Sequence, residues 1–169
     1  RYTISVDNKE KILNTALSLF SLHSYEAVGI QQVAQKSLVT KPTIYHYFES
    51  KRGLLDHLMR HYGDPYFETL EQATNYQGDV KNTLNQVAQI QLELYNQNKP
   101  FYRLYKSMSA MAPQSESFKA AKPYQQREFQ IMEQLFKAIA QDHGNIGSRY
   151  KIYGAAFMGN LAVLVDIHA

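Results

Sequence analysis

The chain has 169 residues, no cysteine and a formal net charge of +3. That length allows one or two domains with a core that needs no covalent staple, and the missing cysteine excludes disulfides, thiolate catalysis and Cys-based metal clusters. The charge is unevenly placed: residues 1–62 carry eight Lys/Arg against five Asp/Glu, whereas residues 63–169 carry ten of each. The positive excess therefore lies wholly in the first third, a placement that agrees with phosphate binding.

Taken in order, Asp7-Asn8-Lys9-Glu10 reads as a capping box that opens a first helix. Its apolar stripe is Ile12, Leu13, Ala16, Leu17 and Phe20, and it is expected to end near His23-Ser24-Tyr25. A short second helix starts at Gly29 with Ile30, Val33 and Ala34 facing inward, and Ser37-Leu38-Val39 interrupts it. Thr40 then caps a third helix with Pro42 in its first turn, where the N–H that proline lacks would be unsatisfied anyway. Ile44 and Phe48 point inward from it, so that Lys41, Thr43, Tyr45, His46 and Tyr47 project outward or lie at the rim. Two short helices across a tight turn predict a helix-turn-helix over about residues 29–48, whose second helix enters the DNA major groove. Ser50 caps a fourth helix reaching Tyr62, and Gly63-Asp64-Pro65 breaks or bends it, which sets the expected domain boundary at 62/63.

Four more helices follow. Asp79 starts one, Lys99-Pro100 opens the next, and a long one runs from Ser115 to His143 across Pro123. Ser148 is expected to cap the last. No stretch alternates like a strand, so the fold class is all-α: a three-helix helix-turn-helix domain over 1–62 and a larger helical domain over 63–169. From Ile152 to Ala169 the last helix is apolar on nearly every side, and Ala155, Gly159 and Ala162 form a small-residue face suited to a dimer interface. The intramolecular alternative is that this face receives the long helix before it. The chain starts at Arg1 and stops inside the last apolar pattern, so a short preceding piece and a further C-terminal segment are expected.

The run Val39-Thr40-Lys41-Pro42-Thr43-Ile44-Tyr45-His46-Tyr47-Phe48, followed by Ser50-Lys51-Arg52-Gly53-Leu54-Leu55, resembles the DNA-binding domain of the TetR (tetracycline-repressor-like) family. The resemblance covers roughly residues 7–62. It departs from the family pattern at Leu38, where glycine is usual, and at Gly29, where Ser or Thr is usual. It implies DNA contacts from Thr40, Lys41, Pro42, Thr43, Tyr45, His46 and Tyr47, with Lys51 on a phosphate. It also implies a small-molecule pocket in the C-terminal domain and assembly as a homodimer. The aromatic and methionine residues there suit an apolar or aromatic effector, with Tyr66, Tyr95, Phe101, Tyr105, Met108, Phe129, Met132 and Phe157 as candidate wall residues.

His57 and His61 share the i, i+4 spacing of paired zinc ligands, but the glutamate of the hydrolytic zinc motif is missing. A solvated helix face is the better reading, and no metal or other cofactor is expected. There is no GxSxG, phosphate-cradling glycine loop or dinucleotide fingerprint, so no enzyme is expected either. The most apolar stretch, Ala155–Ile167, falls short of the roughly 20 residues a membrane span needs, which points to the cytoplasm. The expectation is a ligand-relieved repressor that binds a palindromic double-stranded operator. The alternatives are a helical protein-interaction module and a ligand-independent DNA binder.

Overall fold

The computed structural model describes residues 3–167, with side chains from residue 8 onward. Among them are nine α-helices: α1 (Thr3–His23), α2 (Ile30–Ser37), α3 (Lys41–Phe48), α4 (Lys51–Leu58), α5 (Asp64–Ala73), α6 (Val80–Gln97), α7 (Lys99–Ser109), α8 (Glu116–Asp142) and α9 (Tyr150–Ile167). The all-α expectation holds, with no strand among the described residues. No helix there is long and apolar enough to cross a membrane.

Two compact units form: residues 1–64 with 99–123, and residues 65–98 with 124–169. In the first unit, α1 packs on α2, α4 and α7, and α3 packs on α2 and α4. Ile12, Ala16, Phe20, Val33, Ile44, Phe48 and Leu54 are almost wholly removed from water. Each of these side chains larger than alanine contributes roughly 1.5–3 kcal/mol by leaving water, which is how three short helices hold together. The α7 face bearing Phe101, Leu104, Tyr105 and Met108 is buried as well, and the Phe101 ring lies 6.2 Å from that of Tyr62.

In the second unit, α6 packs on α9. Arg127 of α8 pairs with Glu71 of α5 at 3.2 Å, and the Phe67 and Tyr124 rings lie 5.5 Å apart. α9 meets α8 at Gly154, where an added Cβ would stand 3.3 Å from the Met132 carbonyl oxygen. Gly159 has nothing within 4 Å of such a Cβ. At Gly159 this face therefore does not receive α8. Ala155 and Gly159 are exposed, Ala162 is half-buried, and the exposed side chains Ile152, Val163 and Ile167 accompany them.

Several local expectations change. α1 begins at Thr3, so Asp7 stands inside the helix rather than at its cap, and its side chain lies outside the described residues, as do His168-Ala169. Ser148 does not cap α9; it sits in a 3₁₀ turn, Gly147–Arg149, that feeds the helix. Of the break or bend expected at Gly63-Asp64-Pro65, the break falls. A π-helical turn over Met59–Gly63 precedes Pro65 and keeps the backbone helical from Lys51 to Ala73. Such a turn shifts the carbonyl register where the proline ring and its missing N–H would disrupt the usual ladder. α8 likewise runs unbroken through Pro123.

Candidate nucleic-acid interface

The helix-turn-helix is built by caps on both sides of its turn. At the start of α2, the Gly29 N–H donates to Gln32 Oε1 at 2.8 Å. At its end Leu38 adopts a left-handed conformation (φ 55°, ψ 40°). The Val39 N–H then donates back to the Ala34 carbonyl at 3.0 Å, closing α2 as a glycine cap would. Leu38 is 81% exposed, so its side chain gains no burial against a left-handed strain of about 1 kcal/mol. Thr40 caps α3, its hydroxyl accepting from the Thr43 N–H at 3.3 Å and lying 2.8 Å from the Thr43 hydroxyl.

These caps fix which way α3 faces. Ile44 and Phe48 are buried beneath it. Thr40, Lys41, Pro42, Tyr45 and His46 stand exposed, with Thr43 and Tyr47 half-buried at the rim. Tyr45 is 44% exposed, an unusual position for a large ring that had core to pack against. The His46 and Tyr47 rings meet edge-on at 5.4 Å. The exposed face thus offers a cation, an imidazole and a phenol on one short helix.

The α3–α4 junction is tight. Glu49 takes φ 63°, and the Ser50 N–H donates to the Phe48 carbonyl at 2.6 Å. The Ser50 hydroxyl caps α4 by accepting from the Gly53 N–H at 2.8 Å. A Cβ on Gly53 would lie 2.0 Å from the Phe48 carbonyl oxygen, so this position admits only glycine. Gly53 belongs to the matching run in the sequence, yet only the close approach shows why it is there. His57 turns into this junction rather than outward, its Nδ1–H donating to the Gly53 carbonyl at 2.9 Å and its ring 5.2 Å from Phe48.

Lys51 opens α4. Its Nζ lies 4.1 Å from the centre of the Tyr25 ring, within the range of a cation–π contact. Partial burial pulls the ammonium pKa below its usual value, against the opposing pull of Glu26 and Glu116. No motif or spacing in the sequence marks Tyr25, Glu26 or Glu116 for this role, and Glu116 lies 91 residues away from Tyr25.

The eight candidate effector residues divide between the units: Phe101, Tyr105 and Met108 in the first, Tyr66, Tyr95, Phe129, Met132 and Phe157 in the second. Phe129 is partly exposed, Phe157 half-buried with its ring 5.7 Å from Phe136, and the rest are buried. Within the second unit a groove of about 470 Å³ opens between α5 and α6, lined by other residues, mostly polar, among them Thr69, Gln72, Gln86 and Glu93. Gln91, only 4% exposed on α6, buries its side-chain oxygen without a hydrogen-bond partner among the described residues.

The sequence model of the family described as "Bacterial regulatory proteins, tetR family" matches residues 12–58. A Bacillus subtilis protein described as "Probable HTH-type transcriptional regulator YttP" is 31% identical over 72 residues, covering 43% of this chain and 35% of that protein. The chain thus spans about a third of the length of this curated relative. Among solved structures, the TetR family transcriptional regulator PfmR from Thermus thermophilus superposes with a TM-score of 0.71 at 21% identity, over 92% of this chain and 84% of that one. AibR, solved in complex with isovaleryl coenzyme A and operator DNA, gives a TM-score of 0.73 at 20% identity, over 94% and 86%. At these identities the structural likeness shows a shared fold.

Proposed function

We propose that this chain, whose residues 12–58 match the tetR family of bacterial regulatory proteins, is a transcriptional regulator of that family acting as a ligand-relieved repressor. The observation that carries the reading is the division of α3, with Ile44 and Phe48 buried and Lys41, Tyr45 and His46 exposed on the opposite side. A helix pinned that rigidly presents its side chains to a groove without losing further order. Lys41 and His46 read base edges; Thr40, Thr43, Tyr45 and Tyr47 fix the helix against the backbone, with Pro42 holding its first turn. Lys51 and the N–H groups at the start of α4 take a phosphate.

The operator is palindromic because two copies bind it. The exposed apolar side of α9, with Ala155, Gly159 and Ala162 along it, supports a second copy of the chain as its cover. An apolar or aromatic effector binds among the C-terminal helices and relieves repression by preferring the conformer that fits DNA less well. Two observations support an effector site: the neighbour AibR is solved with isovaleryl coenzyme A, and Gln91 buries an acceptor that asks for a donor. The protein works in the cytoplasm, where its DNA is.

Salt-dependent DNA binding tests this. Lys51→Ala weakens binding to all duplexes alike and lowers the salt slope by about one unit. Lys41→Ala and His46→Ala instead change the preference among operator variants. A chain showing no salt-sensitive binding to its own upstream DNA would not be a DNA-binding regulator.

A further inference from the structure

Lys51 does not stand alone at the start of α4. Beneath its ammonium lies the ring of Tyr25, in the loop between α1 and α2, which is itself only 2% exposed. Phe20 holds that ring edge-on at 5.2 Å. The Tyr25 hydroxyl donates to Glu116 Oε2 at 2.8 Å, and the Ser117 hydroxyl donates to Glu26. Glu116 and Ser117 form the first turn of α8, which Ser115 caps by accepting the Phe118 N–H at 3.1 Å. The first turn of α8 thus clasps the Tyr25–Glu26 loop at two adjacent residues, all within the first unit. Both carboxylates of the clasp act on the Lys51 charge. The neighbouring cation, Arg52, is engaged elsewhere, its Nε 2.9 Å from Asp56.

From this arrangement we infer that Glu116, seated through Tyr25, restrains Lys51 and competes with DNA phosphate for its ammonium, so that the first turn of α8 sets how strongly the helix-turn-helix grips DNA. The inference rests on the proposed role of Lys51 as a phosphate contact. Its physical basis is charge competition. An ammonium seated on an aromatic ring whose hydroxyl is itself bound to the Glu116 carboxylate must leave part of that environment to meet a phosphate. Any movement that carries Glu116 away from Tyr25 releases the ammonium and strengthens the grip; any that seats Glu116 more firmly weakens it. Glu116 is therefore a positioning residue: it touches no DNA and acts through Lys51.

The test uses the full chain, a mixed-sequence DNA duplex, and a salt titration between about 50 and 200 mM. Glu116→Gln keeps an acceptor for the Tyr25 hydroxyl and removes the charge, so the clasp stays closed while the competition ends. It binds the duplex about threefold or more tightly and steepens the salt slope, by up to roughly one phosphate's worth. The gain disappears in the Glu116→Gln/Lys51→Ala double variant, which binds like Lys51→Ala alone. Such non-additivity marks two residues acting on one contact. If Glu116→Gln tightens binding equally in both backgrounds, its effect is a general change of surface charge and the inference fails. It fails too if Glu116→Gln leaves affinity and slope unchanged while Lys51→Ala weakens both. Should Lys51→Ala itself change nothing, the phosphate role of Lys51 is wrong, and the restraint falls with it.

Discussion

At the residue scale the helix-turn-helix depends on backbone geometry more than on its exposed side chains. Gly53 is the sharpest case. A methyl group there would overlap the Phe48 carbonyl oxygen at 2.0 Å, an oxygen already held by the Ser50 N–H. Neither backbone atom can yield without moving α3 relative to α4. Gly53→Ala is expected to cost on the order of 3 kcal/mol, the upper end for overpacking a close contact. Urea unfolding measures the loss, and a stability within about 0.5 kcal/mol of the parent would show that the junction is looser than its geometry implies. Tyr25 carries a second expectation. Burial first, then its hydrogen bond to Glu116, push the phenol well above its ordinary value. With the folded pKa above the unfolded one, the stability this phenol contributes is complete below about pH 10 and is lost as pH rises further. The urea midpoint should therefore hold up to about pH 10 and fall as pH rises beyond it, and fall less in Tyr25→Phe. Tyr62, raised by burial and by Glu10, titrates in the same direction, so the variant's slope is reduced and not abolished.

Among the elements, α9 carries two glycines with opposite meanings. Gly154 lets α9 approach the backbone of α8 at Met132, while Gly159 opens onto free space. An alanine at Gly154 must displace its neighbour by a few tenths of an ångström, at a cost of about 1 kcal/mol. At Gly159 the same change relieves the helix of its glycine penalty and raises stability by roughly 0.5–1 kcal/mol. Urea unfolding of Gly154→Ala and Gly159→Ala at high dilution separates the two; equal effects would mean that both faces of α9 are equivalent. The aromatic face of α7 shows a similar dependence on partners. Its spacing in the sequence marks a buried side, but a buried side can be turned toward any neighbour, and here it packs on α1.

For the whole molecule, the proposed function requires two recognition helices at a fixed separation. Half-sites one helical turn apart demand partners about 34–36 Å from each other, a spacing that one chain with one α3 cannot supply. Gly159→Leu tests the α9 face as the source of that symmetry. Since no atom of another element among the described residues lies within 4 Å of a Cβ at Gly159, the leucine leaves the single copy folded and obstructs only a crossing with another helix. Light scattering should show the parent as a dimer and the variant as a monomer, with palindromic DNA bound weakly by the variant. A parent chain that is monomeric at micromolar concentration would refute the dimer.

Much of this protein was legible because its signals are local. Thr40 before Lys41-Pro42, Ser50 before Lys51 and Asp79 before Val80 are caps, and each acts within one helical turn: the hydroxyl or carboxylate and the N–H that it satisfies lie three residues apart. The inward stripe of Ile44 and Phe48 follows from helical periodicity alone, and it fixed the outward face of α3 as well. The tetR-family likeness of residues 12–58 lies in that same local segment. What the sequence could not decide depends on atoms brought together from far along the chain. The clasp joining Tyr25 and Glu26 to Glu116 and Ser117 bridges 91 residues, and no periodicity or spacing encodes such a meeting. The two α9 glycines look alike in sequence because a missing side chain leaves no trace of what stands opposite it; only packing distinguishes an empty space from an occupied one.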